Sequence, residues 1–268
     1  MFEDVRDGDH TSLACISNYQ LGSAYLLVKE PGILAGMQIA EKVFQKVDPS
    51  LKFIPHLFDG ELVKSGDIAF EVQGPTLSIL TAERLVLNLM QRMSGIATVT
   101  AMYAKAIAHT KAKVLDTRKT TPGIRMFEKQ AVLIGGGQNH RFGLYDMILI
   151  KDNHVDAAGG INQAVNRSKA YLTEKGLSLN IEVEVRSLRE LGEALKCEGI
   201  DRIMLDNFSV EQTVQAVEMV NGRCELESSG GITLETIVAY AETGVDYISV
   251  GALTHSVKSL DLSLKLSK

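Results

Sequence analysis

The segment from residue 116 to residue 154 concentrates cationic side chains around a run of three glycines. The whole chain carries a formal net charge of -5 at pH 7, yet this segment is net positive. Cations grouped beside backbone that glycine leaves open are typical of a site for a multiply charged anion. The glycines are Gly135, Gly136 and Gly137, and the cations are Arg118, Lys119, Arg125, Lys129, Arg141 and Lys151.

The bulk composition restricts the class of protein. With 268 residues, 45% of them hydrophobic, the chain can form one large domain or two smaller ones. A pI near 5.7 and the lack of a basic stripe interleaved with aromatic residues argue against nucleic acid as the main partner. No apolar run reaches the roughly 18 residues that a membrane span needs, and the opening residues are too acidic for a signal peptide. We therefore expect a cytoplasmic protein with a small ligand.

The cysteines are odd in number and widely spaced. Cys15, Cys197 and Cys224 lack the paired spacing of zinc ligands. This pattern predicts reduced thiols. We expect each of them to be buried and structural.

The chain has two parts with different hydrophobic periods. From about residue 11 to 81, short apolar runs are separated by glycine and Asp-Gly turns, which favours strands. Residues 30 to 46 interrupt this pattern with the apolar spacing of an amphipathic helix, and a long helical stretch follows at residues 83 to 110. The first part is therefore predicted to be α+β.

Beyond that stretch, short buried strands alternate with helices whose predicted starts are Ser187, Ser209 and Thr233. This alternation predicts a parallel sheet. Six successive strands of this kind suggest an α/β barrel. A closed barrel has more strands than six, so the alternative is an open relative of it. The strands are predicted at residues 113 to 117, 146 to 150, 179 to 185, 201 to 206, 224 to 228 and 245 to 250.

Polar residues or glycines follow at the carboxyl end of every one of these strands. Barrel enzymes gather the carboxyl ends of their strands on one catalytic face. Cations there suit pyrophosphate and carboxylates, acidic residues suit ribose hydroxyls or magnesium, and glycine turns ahead of helices suit phosphate. Taken singly, Asp206 could instead cap a helix, and either glycine segment could be a tight turn. The residues are Thr117, Arg118, Lys119, Lys151, Glu184, Asp206, Ser229, Gly230, Gly231, Val250, Gly251 and Ala252.

Longer motifs make nearly the whole chain resemble one enzyme family. They are GDHTS at residues 8 to 12, ERLVLNLMQRMSGIAT, DTRKTTPGIR, GGGQNHRFGLYDMILIKDNH, IEVEV, IMLDN, SSGGI and VDYISVGALTHS. In this order they are similar to the quinolinate phosphoribosyltransferases, or nicotinate-nucleotide pyrophosphorylases (carboxylating). The resemblance implies an N-terminal α/β sandwich domain (1–104), an open, incomplete α/β barrel of about six to seven strands (105–253), and a C-terminal segment (254–268) that returns to the sandwich.

The resemblance also implies an activity. The chain would transfer phosphoribosyl from phosphoribosyl pyrophosphate to quinolinate with decarboxylation, giving nicotinate mononucleotide, pyrophosphate and carbon dioxide in de novo NAD biosynthesis. It implies Mg²⁺ as the cofactor. It further implies a homodimer, or a hexamer built from dimers, in which Arg84 reaches the neighbouring subunit's site.

Carried over by position, the resemblance assigns substrate contacts. The quinolinate carboxylates would be held by Arg118, His140, Arg141 and Lys151. Lys119 would lie with Lys151 near the pyrophosphate, and Thr117 would be a further substrate-binding residue.

On the sugar side, the resemblance implies that Glu184 and Asp206 contact the ribose hydroxyls and ligate the magnesium ion. Residues 229 to 231 and 250 to 252 would bind the 5-phosphate. The residues with implied catalytic roles are Lys119, Lys151, Glu184 and Asp206.

Two other functions remain open. One is a related phosphoribosyltransferase with another acceptor, such as nicotinate. The other is a non-catalytic phosphate-binding barrel that serves as a sensor or scaffold. The lysine of the KDNH motif, the pair Glu184 and Asp206, and the intact NHR motif favour quinolinate.

Several polar residues near the motifs are interpreted as structural or solvent-exposed. Arg92 is interpreted as a solvated or interface residue of the long helix, and Arg125 and Lys129 as surface residues of another helix. His255 and Ser256 are interpreted as structural.

Overall fold

The computed structural model describes residues 3–267, which form two compact units, each considered by itself below. Of the described residues, the first unit contains 3–101, 121–136 and 256–267, and the second contains Met102–Thr120 and Gly137–His255. The domain boundaries drawn from the sequence stay a prediction beside this division.

The helices and strands are numbered along the chain. The helices are α1 (His10–Cys15), α2 (Met37–Val47), α3 (Thr76–Ala106), α4 (Arg125–Ile134), α5 (Asp152–Ala158), α6 (Ile161–Lys175), α7 (Leu188–Ala194), α8 (Val210–Val220), α9 (Ile237–Ala241) and α10 (Ala252–His255). The strands are β1 (Leu21–Val28), β2 (Gly32–Ile33), β3 (Lys52–Pro55), β4 (Leu62–Val63), β5 (Ile68–Pro75), β6 (Lys113–Leu115), β7 (Ile148–Ile150), β8 (Ile181–Val185), β9 (Arg202–Asp206), β10 (Glu225–Ser229), β11 (Tyr247–Ser249) and β12 (Leu262–Leu266).

The first unit is built on an antiparallel sheet with the strand order β12-β1-β5-β3. Ala24, Leu26 and Val28 of β1 are fully buried, because every second residue of a strand faces the same side. They share one apolar core with Phe44 of α2 and Phe70 of β5, whose rings pack edge to face at 5.8 Å.

Two helices of this unit begin elsewhere than predicted. α2 begins at Met37, not near residue 30, because Gly36 adopts a left-handed φ of 99° and Asp59 Oδ1 accepts the Met37 N–H at 2.9 Å. α3 begins at Thr76, directly after Pro75 of β5, and not at residue 83. A proline ahead of the first turn costs no helical hydrogen bond, so the helix can start there.

The interpretation of Lys129 as a surface residue is wrong, and Arg92, interpreted as a solvated or interface residue, is partly buried in an ion pair within its own chain. Arg92 Nε and Nη2 both lie 2.9 Å from Glu128 Oε1, and Arg92 Nη1 donates to the Val257 carbonyl. Glu128 is fully buried and also accepts the Thr121 N–H, while Lys129 is only 2% exposed. α4 turns both charged residues inward, and the two-point arginine contact neutralises the buried carboxylate.

The second unit is built on six parallel strands in the order β6-β11-β10-β9-β8-β7. Within the described residues, the edge strands β6 and β7 do not pair with each other, so the barrel stays open. The prediction of a sandwich domain with an open, six-stranded α/β barrel is confirmed.

The barrel strands alternate in polarity, which decides what faces the interior. Ile181, Val183 and Val185 of β8 are apolar and buried, whereas Glu182 and Glu184 point to the opposite face. The pairing register puts Leu149 and Arg202 beside Glu182, and Met204 beside Glu184. The concave face therefore carries charged residues among apolar ones, in contrast to the branched apolar layers that commonly fill such barrels.

Two of the three predicted helix starts are confirmed. Ser187 accepts the Glu190 N–H at the start of α7, and Ser209 forms a reciprocal capping box with Gln212 at the start of α8. Thr233 is not the residue before α9. A turn of residues 233 to 236 intervenes, in which the Thr233 carbonyl accepts the Ile237 N–H at 2.9 Å.

The expectation that every cysteine is buried is also wrong. Cys15 is exposed at the end of α1, and Cys197 and Cys224 are half-buried. All three are free thiols. Among residues 3–267, no helix has both the length and the apolar character needed to cross a bilayer.

Candidate active site

A cavity of about 780 Å³ opens at the carboxyl ends of the barrel strands. Its lining includes every substrate-contact residue predicted from the sequence except Arg84, which lies on α3 in the first unit with an exposed side chain. The predicted residues brought together here are Thr117, Arg118, Lys119, His140, Arg141, Lys151, Glu184, Asp206, Ser229, Gly230, Gly231, Val250, Gly251 and Ala252.

Arg118 and Arg141 form a cationic part of the cavity wall. Burial lowers the pKa of Arg141, and the nearby positive charge of Arg118 lowers it further. The charges of Glu182 and Asp146 act in the opposite direction and raise this pKa. Two guanidinium groups held near each other repel, and an anion between them relieves that repulsion. This part of the cavity wall is therefore suited to carboxylates.

Lys151 and Glu184 form an ion pair within the cavity. Lys151 follows β7 and Glu184 lies in the neighbouring β8, and Lys151 Nζ donates a hydrogen bond to Glu184 Oε2. His154 Nδ1 accepts the Lys151 N–H at 2.9 Å, which fixes the start of α5. The lysine backbone is thus held in place while its charged end remains half-exposed to the cavity.

The glycine turn after β10 is shaped by Asn207. Gly230 and Gly231 have φ values of 99° and 62°, in the left-handed region that favours glycine. A Cβ at Gly230 would lie 2.2 Å from Asn207 Oδ1, so no side chain fits there. Asn207, itself left-handed, donates its N–H to the Ser229 carbonyl and its side-chain amide to Asp206 Oδ2. The turn and the Asp206 carboxylate are therefore positioned together.

The second glycine segment follows β11. A Cβ at Gly251 would lie 3.1 Å from Lys119 Cδ and 3.2 Å from the His255 ring. Thr254 Oγ1 donates to the Lys119 carbonyl at 2.9 Å, which ties α10 to the loop after β6. Glycine at residue 251 lets Lys119 and His255 approach the backbone closely.

His140 lies at the inner wall, with one ring nitrogen in a hydrogen bond and the other close to two carboxylates. Its Nδ1 accepts the Arg141 N–H at 2.7 Å, and its Nε2 lies 2.9 Å from Glu182 Oε2 and 3.6 Å from Glu227 Oε2. Asp116 Oδ1 accepts the His140 N–H at 2.9 Å. The ring therefore faces the barrel interior.

Glu182 and Glu227 are charged interior residues that the sequence interpretation missed. Both are fully buried, and burial raises the pKa of each to about 7, with the Glu182 charge raising that of Glu227 further. For Glu182 the period of two in IEVEV was the available signal, since it puts this residue on the same face as Glu184. Other lining residues that the prediction omitted are Leu149, Met204, Asn207, Ile232, Thr233, Ser249 and His255.

Comparison with protein families gives two matches that together span nearly all of the chain. Residues 9–94 match the quinolinate phosphoribosyl transferase N-terminal domain, and residues 96–265 match the C-terminal domain of the same family.

Curated relatives agree with this match. The chain is 50% identical over 279 residues to quinolinate phosphoribosyltransferase (decarboxylating) 1b of Nicotiana tabacum, covering 98% of this chain and 79% of that protein. It is 44% identical to the probable nicotinate-nucleotide pyrophosphorylase (carboxylating) of Bacillus subtilis, covering 99% and 90%.

Solved structures give the same result. NadC from Streptococcus pyogenes superposes with a TM-score of 0.94 at 43% identity, covering 99% of this chain and 93% of that one. The nicotinate-nucleotide pyrophosphorylase from Francisella tularensis superposes with a TM-score of 0.93 at 43% identity, covering 99% and 92%. The chain belongs to the quinolinate phosphoribosyltransferase family.

Proposed function

We propose that the barrel cavity is where this chain transfers phosphoribosyl from phosphoribosyl pyrophosphate to quinolinate and decarboxylates the product to nicotinate mononucleotide. The enzyme is a pentosyltransferase of NAD biosynthesis. The observation that carries the assignment to this cavity is its lining, in which several cations, two carboxylates of the strand ends and two glycine turns all face one space. Both substrates are polyanions that present carboxylates, phosphates and ribose hydroxyls, which this lining complements.

Quinolinate binds at the cationic part of the wall. Arg118, Arg141 and Lys151 hold its two carboxylates, since arginine forks match carboxylate geometry and the lysine adds a compact charge. His140 and Thr117 complete this part of the lining. Support comes from the lowered pKa of Arg141, which reflects its burial first and then the neighbouring Arg118 guanidinium, whose repulsion an anion would offset.

The phosphoribosyl group binds at the two strand-end carboxylates and the glycine turns. Glu184 and Asp206 accept hydrogen bonds from the ribose hydroxyls, because ionised carboxylates are acceptors only. The turns at residues 229–231 and 250–252 direct backbone N–H groups at the 5-phosphate. Lys119, packed over Gly251, lies with Lys151 near the leaving pyrophosphate.

The donor set of Glu184 and Asp206 fits Mg²⁺. Magnesium prefers oxygen ligands and is commonly held by one or two carboxylates together with substrate phosphates. These two residues would hold an ion that arrives with phosphoribosyl pyrophosphate. When bound, it would neutralise negative charge on the leaving pyrophosphate. Calorimetric titration of phosphoribosyl pyrophosphate with and without Mg²⁺ tests this cofactor independently of turnover.

Catalysis follows from where charge develops. The anomeric C–O bond breaks, its electrons leave with pyrophosphate, and the quinolinate ring nitrogen bonds to the anomeric carbon. Glu184 stabilises positive charge on the ribose, and Lys119 and Lys151 stabilise negative charge on the pyrophosphate. No general base is needed, because a pyridine nitrogen carries no proton. Most of the rate acceleration is positioning and electrostatics.

Decarboxylation follows on the same surface. The quaternised ring nitrogen accepts the electrons released when the adjacent carboxylate leaves as carbon dioxide, and a solvent proton then completes the ring carbon. Arg118 and Arg141 hold the remaining carboxylate, so the ring does not shift between the two steps.

A substrate panel tests the function. Purified protein, phosphoribosyl pyrophosphate and Mg²⁺ are combined with quinolinate or with nicotinate, and mononucleotide, pyrophosphate and carbon dioxide are measured. Turnover with quinolinate is expected to release the three products in equal amounts. Turnover with nicotinate but not with quinolinate would show that the protein uses another acceptor. Binding of both substrates without pyrophosphate release would assign a non-catalytic barrel.

The active assembly is proposed to be a homodimer in which Arg84 completes the partner's quinolinate site. Its support is the family resemblance together with the exposed position of Arg84 on α3. Mixing Arg84→Ala chains with Lys151→Ala chains should restore activity, since some sites in the mixed dimer would then have both residues intact. The two single variants alone are the controls. Inactive mixed dimers, verified by mass, would show that each chain works by itself.

The location is proposed to be the cytoplasm, supported by three free thiols that suit a reducing compartment. Plant relatives carry the words mitochondrial or chloroplastic in their names, so compartments differ within the family. Fractionation of the native host with an antibody to this chain tests the proposal.

A further inference from the structure

Asn207, the residue that follows β9, adopts a backbone conformation that is uncommon outside glycine. Its φ is 57°, in the left-handed region, and the residue is exposed and lines the cavity. Non-glycine residues in this region are few, and strained conformations of this kind gather at functional sites where the surroundings hold them. The mechanism above gives Asn207 no role, so the reason for its conformation has to be found in its contacts.

The side chain of Asn207 contacts two elements of the proposed phosphoribosyl site. Its Nδ2 donates to Asp206 Oδ2 at 2.9 Å. Because an ionised carboxylate only accepts hydrogen bonds, this contact fixes the amide with its nitrogen toward Asp206. The amide oxygen then lies against Gly230, where a Cβ would approach it to 2.2 Å. One amide group thus touches both the carboxylate assigned to the ribose and the turn assigned to the 5-phosphate.

The backbone around Asn207 is held on both sides. Its N–H donates to the Ser229 carbonyl at 2.9 Å, directly after the last paired residues of β9 and β10. The next residue, Phe208, is buried, and its carbonyl accepts the Tyr240 hydroxyl at 2.9 Å. The capping box of Ser209 then starts α8. The Asn207 side chain therefore projects from a fixed stretch of backbone.

A turn requirement alone does not account for these contacts. Asparagine adopts the left-handed conformation more readily than most residues, and Asn221, at the end of α8, also has it, with φ of 46°. Glycine would serve such a backbone equally well, since it meets no Cβ penalty there. What glycine cannot supply is the amide that contacts Asp206 and Gly230.

We propose that Asn207 is a positioning residue for phosphoribosyl pyrophosphate, which holds the Asp206 carboxylate and the glycine turn after β10 at a fixed separation. It acts through these two neighbours and takes no part in bond breaking. The amide engages Asp206 Oδ2, so the carboxylate presents one orientation to the ribose hydroxyls. The inference rests on the proposed function, because it concerns the same site.

The physical benefit is preorganisation. A side chain or turn that is ordered only when the ligand arrives loses conformational freedom at that moment, and this loss weakens binding. The sugar ring fixes the distance between the ribose hydroxyls and the 5-phosphate, so the protein elements that bind them need a matching separation. Arg118 and Arg141 lie after β6 and before β7, away from the segment after β9. Loss of the amide should therefore weaken phosphoribosyl pyrophosphate and leave quinolinate unaffected.

The central test is Asn207→Gly. Glycine keeps both the left-handed backbone and the N–H that donates to Ser229, so the free energy of unfolding should stay close to that of wild type. The KM for phosphoribosyl pyrophosphate is expected to rise roughly tenfold, the effect of one lost hydrogen bond to a charged group, with the KM for quinolinate changed less than about twofold. Wild-type kinetics in this variant would show that Asn207 serves the turn alone and would overturn the proposal.

The matched control is Asn221→Gly. It makes the same replacement in the same backbone conformation, but at the far end of α8, at a residue that does not line the cavity. Both KM values should stay within about twofold of wild type. An equal rise in the KM for phosphoribosyl pyrophosphate in the two variants would assign the effect to the backbone and contradict a positioning role.

A second variant, Asn207→Asp, tests the amide donor itself. Aspartate has nearly the same shape and also tolerates the left-handed conformation, but it replaces the donor by a second carboxylate beside Asp206. Calorimetric titration with phosphoribosyl pyrophosphate and Mg²⁺, without quinolinate, measures affinity in the absence of turnover. We expect Asn207→Asp to bind at least as weakly as Asn207→Gly. Wild-type affinity in Asn207→Asp would show that the amide donor is dispensable and would contradict the proposal.

Failure of this inference and failure of the proposed function can be told apart. A wild-type protein that releases no pyrophosphate from phosphoribosyl pyrophosphate in the presence of quinolinate contradicts the function. A wild-type protein that does release it, together with unchanged affinity in both Asn207 variants, contradicts the inference alone.

Discussion

Lys151 and Glu184, at the carboxyl ends of the neighbouring strands β7 and β8, form an ion pair inside the cavity. Glu184 is nearly buried, with a side-chain exposure of 8%, while Lys151 is 43% exposed. The lysine is thus the partner of a buried carboxylate, while its charged end stays accessible to an incoming anion. Binding of the polyanionic substrates must change the contact between Lys151 and Glu184, because the substrates also interact with each of these two charged groups.

Replacement of Lys151 by alanine should therefore affect binding and turnover together. Loss of a charge-assisted hydrogen bond costs about 1.5 to 3 kcal/mol, so kcat/KM should fall at least roughly tenfold. Steady-state kinetics with both substrates measures this. Lys169→Ala is the control, since Lys169 is an exposed lysine of α6 that contacts the Glu198 carbonyl. Equal kinetics for the two variants would exclude the assigned role.

Arg118→Ala should weaken quinolinate binding by about 1.5 to 3 kcal/mol for each charge-assisted hydrogen bond that is lost. The same change removes a repulsive neighbour of Arg141, so the pKa of Arg141 should be lowered less. Calorimetry with quinolinate measures the affinity. An unchanged dissociation constant would remove Arg118 from the quinolinate site.

Arg141→Lys tests whether geometry matters beyond charge. The variant keeps the positive charge, but an ammonium group cannot reproduce the two-point contact of a guanidinium with a carboxylate. We expect quinolinate affinity to fall by about 1 kcal/mol or more. The KM for phosphoribosyl pyrophosphate serves as the internal reference and should stay near the wild-type value. A variant with wild-type quinolinate affinity would show that charge alone is sufficient.

Gly230→Ala should selectively weaken binding of phosphoribosyl pyrophosphate. The new Cβ would lie 2.2 Å from Asn207 Oδ1, in a backbone conformation with φ of 99°, so the phosphate turn and Asn207 must shift. The expected loss is about 1 to 3 kcal/mol, the cost of strain at such a position. Gly222→Ala is the matched control, because Gly222 has a φ of 74° and open space around it. If both variants lose the same affinity, general backbone strain is the cause.

The stability of the barrel should depend on pH through its buried acids. Burial raises the pKa of Glu182 and of Glu227 to about 7, above the value of about 4.3 in an unfolded chain. The folded state therefore binds more protons, and this contribution is complete below about pH 4.3 and lost as the pH rises through about 7. We expect the free energy of unfolding to decrease from about pH 5 to about pH 8, less so in Glu227→Gln. Urea titrations at several pH values measure this. The same slope in both proteins would refute it.

The local sequence pattern was sufficient to predict several features of the fold and of the site. The six barrel strands, the helix caps Ser187 and Ser209 and the polar strand ends each depend on neighbouring residues, so the periods of two and of 3.6 identify them. Because parallel strands share one carboxyl face, the strand-end residues predicted from these patterns all line one cavity. Arg84, a predicted substrate-binding residue on α3, is not part of this lining, and its role stays a prediction.

Other features depend on contacts between distant residues. Burial of Lys129 and the Arg92–Glu128 pair arise from how α4 packs, and nothing within α4 itself marks these residues as internal. Likewise, α2 begins at Met37 because Asp59, far along the chain, accepts its N–H.

By itself, the amino-acid sequence determined which side chains stand at the strand ends and the family to which the chain belongs. Only the tertiary structure decided that His140 turns inward to Glu182, and that Asn207 occupies the space beside Gly230. The physical reason is that a strand period tells which face a residue occupies, whereas hydrogen-bond partners depend on how separate strands are brought into register.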